Sequence, residues 1–205
     1  MLEKLKGKFI TFDGGEGVGK TTQSKLLVEY LNKNGIRAEW TREPGGCETA
    51  EKIREVLISN ELAILTELLL VLAARLEHTE KKIKPLLKDG VVVVSDRYLD
   101  SSIAYQGFAG GMDLDKITEL TNLVVGDFKP NITIVLDLDV EEGLRRANKR
   151  GLNSKYEDFS VEYHKNVRNG FLYSVNKNQD RIKLIDVSDK NIDDVHKEIL
   201  NTILK

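Results

Sequence analysis

An α/β fold, with a five-stranded parallel sheet flanked by helices on both faces, is predicted by three features of the 205-residue sequence. Short apolar runs rich in β-branched residues recur five times, helical stretches separate them, and the first, third and fourth runs lack the polar alternation of a strand with one wet face. The runs are Lys8 to Phe12, Ala38 to Thr41, Val91 to Val94, Ile132 to Leu136 and Ile182 to Ile185. A sheet of this kind collects its ligands at the carboxyl ends of the strands.

The first run leads straight into Gly14-Gly15-Glu16-Gly17-Val18-Gly19-Lys20-Thr21 and then into a helix with Leu27, Tyr30 and Leu31 on one face. That helix ends at Asn34-Gly35. A second helical region spans Leu62 to Leu87, with Leu65, Leu69, Leu72 and Leu76 on one stripe, before Asp89-Gly90 turns into the valine strand. Lys149 to Asp158 is polar, carries Arg150-Gly151 and breaks the helical pattern, which marks a flap. No internal repeat or linker interrupts the chain. A single domain over 1–205, with a lid at about 146–158, is therefore expected.

Composition excludes several classes. Lys and Arg total 31 against 33 Asp and Glu, a net charge of -2, so no partner held mainly through nucleic-acid phosphates is expected. The longest apolar run, Leu68 to Ala74, lies between Glu67 and Arg75 and falls far short of the ~20 residues a bilayer requires, so no membrane partner is expected either. The stretch from Met1 to Lys8 has no apolar core behind its charges, and neither signal nor transit segment is expected. The lone Cys47 fits a cytoplasmic location.

The glycine-rich segment fits G-x-x-x-x-G-K-[ST] in its required strand-to-helix setting. Backbone N–H groups of Gly14, Gly15, Gly17, Val18 and Gly19 converge on phosphate, with Thr22 in the first helical turn beside them. Lys20 reaches the β and γ phosphates, and Thr21 offers a hydroxyl to Mg²⁺. ATP or GTP binds such a loop. A GTPase would need N-K-x-D, and Asn176-Lys177-Asn178-Gln179-Asp180 brings its carboxylate one residue late. A nucleic-acid motor would need a basic track. A small-molecule kinase and a nucleotide-dependent binding module remain. Transfer between anionic nucleotides calls for convergent arginines. Arg42 follows the second strand in Thr41-Arg42-Glu43-Pro44-Gly45-Gly46, and Arg97 follows the third in Asp96-Arg97-Tyr98.

Together with Ser101-Ser102-Ile103-Ala104-Tyr105-Gln106-Gly107, Leu136-Asp137 and Gly143-Leu144-Arg145-Arg146, these motifs make the chain resemble the thymidylate kinases, P-loop nucleoside monophosphate kinases, over roughly residues 9 to 190. The resemblance implies transfer of the ATP γ-phosphoryl group to dTMP, with Mg²⁺, usually in a homodimer; a kinase for another small acceptor or deoxynucleotide is the alternative. It implies that Arg42 and Arg97 hold the acceptor phosphate and that Glu16 meets the sugar 3'-hydroxyl. Asp13 and Asp96 would organise the metal, with Thr21, and the acceptor phosphate. Arg75 would donate to a thymine carbonyl, Ser102 and Gln106 would lie along the base edge, and Tyr105 would crowd the 2' position. Gly17 stands where some members carry a loop arginine, which assigns the transfer-stage cation to the lid set Arg146, Arg150 and Lys155, as in the bacterial lid-arginine type. Val71 stands where a phenylalanine commonly stacks on the base. His78, His164 and His196 lack metal-ligand spacing and are expected at the surface or in packing.

Overall fold

The computed structural model describes residues 2–149 and 159–204. Five strands, β1 (Phe9–Asp13), β2 (Ala38–Arg42), β3 (Val92–Asp96), β4 (Ile132–Asp137) and β5 (Ile182–Asp186), form one parallel sheet in the order β2-β3-β1-β4-β5. Each expected strand is present. β2 and β3 run one and two residues further than their apolar runs, because Arg42 and Asp96 still pair across the sheet.

Helices α1 (Lys20–Lys33) and α9 (Ile192–Ile203) cover one face of the sheet. There Ile10, Phe12, Val92, Val94, Ile134 and Leu136 pack on Leu27, Leu31 and Ile199. The other face buries Phe9, Val93 and Val135 against Tyr98, Val167 and Phe171. Both faces are dry, so odd and even strand positions are apolar alike.

Helix α2 (Glu48–Ser59) packs on α3 (Ile64–His78), which continues through a π turn at Thr79–Ile83 into α4 (Lys84–Lys88). This Ile64–Lys88 rod is the second helical region of the sequence. Its buried face is set by Leu68, Val71, Leu72, Ala74, Arg75 and His78. Of the leucine stripe only Leu72 faces inward, while Leu65, Leu69 and Leu76 are 50%, 49% and 39% exposed. The stripe is a real helical face, but most of it is turned from this chain's core.

After β3 come α5 (Leu99–Ser102), a π-helical run Ile103–Ala109 and α6 (Leu114–Val125). After β4 come α7 (Val140–Asn148) and α8 (Val161–Lys177). β1 and β3 are neighbours whose onward connections run to opposite sides, from β1 to β2 and from β3 to β4, and this opens a crevice at their carboxyl ends. Asp13 and Asp96 are the last residues of those two strands. Below the crevice, Arg181 grips Asp100 with two hydrogen bonds of 2.8 Å and donates to Thr133, which pairs with Thr11 across β1 and β4. This buried polar thread ties the first turn of α5, and so Ser101 and Ser102, to the sheet.

Candidate active site

The loop between β1 and α1 wraps the helix N-terminus, where orphan N–H groups and the helix dipole favour an anion. Lys20 is buried and donates to the Gly15 carbonyl at 2.5 Å. Burial, with Arg97 nearby, pushes its ammonium down to about 8. Gly17 has φ 72°, and a Cβ there would lie 1.8 Å from the Gly143 carbonyl oxygen of α7. The loop therefore touches α7 directly, which is the physical reason no side chain, and no arginine, fits at Gly17.

Thr21 donates its hydroxyl to Asp96 Oδ2. This hydroxyl–carboxylate pair beside Lys20 fits a Mg²⁺ ion, which takes few protein oxygens and completes its shell with phosphate and water. Asp13 joins the same group of charges, near Lys20 and linked to Arg97 through Ser101. Its carboxyl is fully buried and accepts from Ser101 Oγ at 2.6 Å, and burial with the Asp100 charge pushes it up to about 7.

Arg97 occupies the left-handed region, φ 71°, an uncommon conformation for a residue with a Cβ. This turns its side chain back over the loop, where NH1 donates to the Gly14 carbonyl at 3.1 Å and NH2 to Glu16 Oε1 at 2.8 Å. Its guanidinium lies 4.9 Å from the centre of the Tyr105 ring, whose hydroxyl donates to the same Glu16 oxygen at 2.7 Å. Burial pushes the Glu16 carboxyl up, but Arg97, Lys20 and the Tyr105 hydroxyl together pull it down to about 2. Glu16 therefore stays charged and holds Arg97 in place.

Arg42 is held by Glu51 of α2, at 2.9 Å from NH2, and Glu51 also accepts from the Gly46 N–H. Arg75 is fully buried on α3, donating to Glu43 at 2.8 Å, Ser102 Oγ at 3.1 Å and the Tyr98 carbonyl at 2.9 Å. Gln106 donates one of its two amide N–H groups to Glu67 at 2.8 Å, and its carbonyl oxygen can accept. One cleft of about 300 Å³ connects these groups. Lys20 and Thr21 lie along it, as do Arg42, Arg97, Arg75 and Gln106.

Four further residues join the site. Arg54 of α2 lines the same cleft and donates to the Pro44 carbonyl at 2.9 Å, while burial and the neighbouring Arg42 charge push its guanidinium down. Ser101 supports Asp13, and Glu43 supports Arg75. His78 is fully buried and hydrogen-bonded to both Glu43 and Thr41, so it sits in a polar network, neither at the surface nor in apolar packing. Glu43 and Ser101 stand inside the sequence motifs. For Arg54 and His78 no spacing announces the contact.

Arg146 is described, and its Nε donates to Glu142 at 2.8 Å. Arg150 and Lys155 lie outside the described residues.

A phosphate loop after the first strand, faced across one cleft by arginines on the neighbouring strand ends, defines the P-loop nucleoside monophosphate kinases. Within that class, residues 12–199 match the thymidylate kinase family model, and the chain belongs to that family. It is 44% identical over 200 residues to a thymidylate kinase of Wolbachia pipientis wMel, covering 95% of this chain and 99% of the relative. It is 41% identical over 204 residues to one of Marinomonas sp. (strain MWYL1), covering 98% and 96%. The crystal structure of thymidylate kinase from Ehrlichia chaffeensis superposes with a TM-score of 0.80 at 37% identity, over 98% of this chain and 100% of that one.

Proposed function

We propose that this chain is an ATP-dependent dTMP kinase, transferring the γ-phosphoryl group of ATP to the 5'-phosphate of dTMP to give dTDP and ADP. The observation that carries the reading is the single cleft that holds the phosphate loop, an arginine group and a polar edge together. A binding module needs only the loop; the second half of the cleft provides for an acceptor.

The polar edge supports a thymine or uracil ring. Arg75 can only donate, and Gln106, with one amide N–H held by Glu67, can offer its carbonyl oxygen as an acceptor. A 4-oxo, 3-NH pyrimidine presents the complementary pair, whereas cytosine presents both groups reversed. Ser102 joins this edge, Val71 forms the wall one helical turn before Arg75, and Tyr105 guards the 2' side, with Glu16 below it for the 3'-hydroxyl.

Catalysis in this reading is alignment and charge stabilisation, since a phosphate acceptor needs no general base. The backbone of Gly14 to Gly19, with Lys20 and Thr22, holds the ATP phosphates. Arg97 and Arg42 draw the acceptor phosphate into line, and Arg54 adds a third cation. Thr21 and Asp96, with Asp13 beside them held by Ser101, would hold Mg²⁺, which would supply charge neutralisation at the phosphates. Arg146 and Arg150 belong to a lid over 146–158 that brings cation to the moving phosphoryl group and excludes water.

The assembly we propose is a homodimer joined through Leu65, Leu69 and Leu76, since such an apolar helical face is costly to leave in water. The location we propose is the cytoplasm, with which the lone thiol of Cys47 is compatible. Among the described residues no helix is long and apolar enough to cross a membrane. The test is ADP release from purified protein with ATP, Mg²⁺ and a panel of monophosphates. Turnover is expected with dTMP, less with dUMP and little with dCMP; preference for dCMP or a purine overturns the assignment.

A further inference from the structure

Arg75 and His78 stand three residues apart on α3, on the same buried face, and divide one carboxylate between them. Glu43 Oε2 accepts from Arg75 Nε at 2.8 Å, and Glu43 Oε1 lies 3.1 Å from His78 Nδ1. Because the carboxylate only accepts, the proton of that second contact belongs to Nδ1. The other ring nitrogen, Nε2, meets the Thr41 hydroxyl at 2.7 Å. The side chains of Arg75, His78 and Glu43 are 1%, 0% and 3% exposed, so the arrangement is shielded from bulk solvent. Gly46 makes room for it: a Cβ there would lie 2.3 Å from His78 Nε2 and 2.5 Å from Thr41 Oγ1.

A guanidinium has five N–H groups. Three of Arg75's are committed, to Glu43, Ser102 and the Tyr98 carbonyl, leaving one on each terminal nitrogen for the cleft. Their direction depends on the plane of the guanidinium, which the Glu43 carboxylate sets. A carboxylate held at one oxygen alone is free to turn about its last side-chain bond and to carry the guanidinium with it. His78 removes that freedom.

We infer that His78 is a positioning residue for acceptor recognition: it clamps Glu43 so that Arg75 presents its two uncommitted N–H groups to the base carbonyl. This rests on the proposed role of Arg75 toward the acceptor base. His78 touches neither substrate, and its influence falls on acceptor binding and base choice, leaving ATP binding and the transfer step alone.

The experiment is a side-chain series at His78 with steady-state kinetics in both substrates. An asparagine amide nitrogen stands near the place of Nδ1 and keeps the Glu43 contact, whereas a glutamine reaches only toward Thr41. His78→Ala and His78→Gln should raise KM for the acceptor roughly tenfold, the loss of one charge-assisted hydrogen bond, with kcat and KM for ATP held within about twofold. His78→Asn should restore most of the acceptor KM. A deoxynucleotide analogue lacking the C4 carbonyl should bind wild type poorly and His78→Ala no worse. Equal losses in kcat and both KM values, or no asparagine rescue, would overturn the proposal. Should His78→Ala fail to fold, Thr41→Val removes only the outer hydroxyl and should move acceptor KM in the same direction; an unchanged KM there counts against it equally. Wild-type turnover in the acceptor panel decides the dTMP reading separately, because the His78 series is scored on whichever acceptor wild type prefers.

Discussion

Replacing Arg97 by methionine should separate two jobs that one guanidinium performs. In the folded protein it is paired with Glu16 at 2.8 Å, the two side chains being 16% and 15% exposed, and it also donates to the Gly14 carbonyl. Breaking a buried pair from one side costs roughly 3–5 kcal/mol, because the remaining charge is stranded. Lys20 and the Tyr105 hydroxyl still act on Glu16 after the substitution, so the lower end, about 3 kcal/mol, is expected. Catalysis loses a preorganised cation facing the acceptor phosphate, which is worth about 10²–10³ in rate, or about 3–4 kcal/mol. Adding Glu16→Gln to Arg97→Met removes the stranded charge. The double variant should recover most of the lost stability in urea titrations, while kcat/KM in an ADP-coupled assay stays low. Activity that returned together with stability would show that Arg97 acts only as a structural ion, and the single variant keeping kcat/KM within about threefold would refute the charge argument altogether.

Three further outcomes follow from the same geometry. The Asp13 carboxyl, raised from its ordinary 3.8 to about 7 by burial and by Asp100, holds a proton in the folded chain that the unfolded chain has released, so its stabilising contribution is full below pH 4 and is lost as pH rises through 7. Melting temperatures of wild type should therefore fall relative to Asp13→Asn between pH 4 and 8, and parallel curves would exclude the shift. Gly17→Ala should lower thermal stability and raise KM for ATP at least tenfold, since the new methyl meets the Gly143 carbonyl at 1.8 Å; unaltered ATP kinetics would mean that the loop is free of α7. Leu69→Glu, at a position 49% exposed, should convert a dimer to a monomer in sedimentation experiments without lowering solubility, whereas a wild type that is itself monomeric removes the assembly proposal.

Local patterns were readable because they carry their geometry with them. Five β-branched runs became five parallel strands, and the glycine-rich loop sits between β1 and α1 as the motif requires. Arg42, Asp96 and Arg97 stand at strand carboxyl ends, where a parallel sheet gathers its ligands. Each of these readings needs only a short window of sequence, since strand period, turn chemistry and helix start are all settled within a few residues.

The partnerships were not readable in that way. Glu43 and His78 are 35 positions apart, and Arg97 and Glu16 are 81 apart; which oxygen meets which nitrogen depends on how α3 and the turn after β3 pack against the sheet. The leucine stripe makes the same point from the apolar side. Helical spacing places Leu65, Leu69, Leu72 and Leu76 on one face, but only packing decides that Leu72 goes inward while its neighbours stay outside, because Val71, Arg75 and His78 take the buried face. Periodicity fixes the relative angles of side chains around a helix axis. The rotation of that axis against the rest of the molecule is a contest among distant contacts, and no short segment contains it.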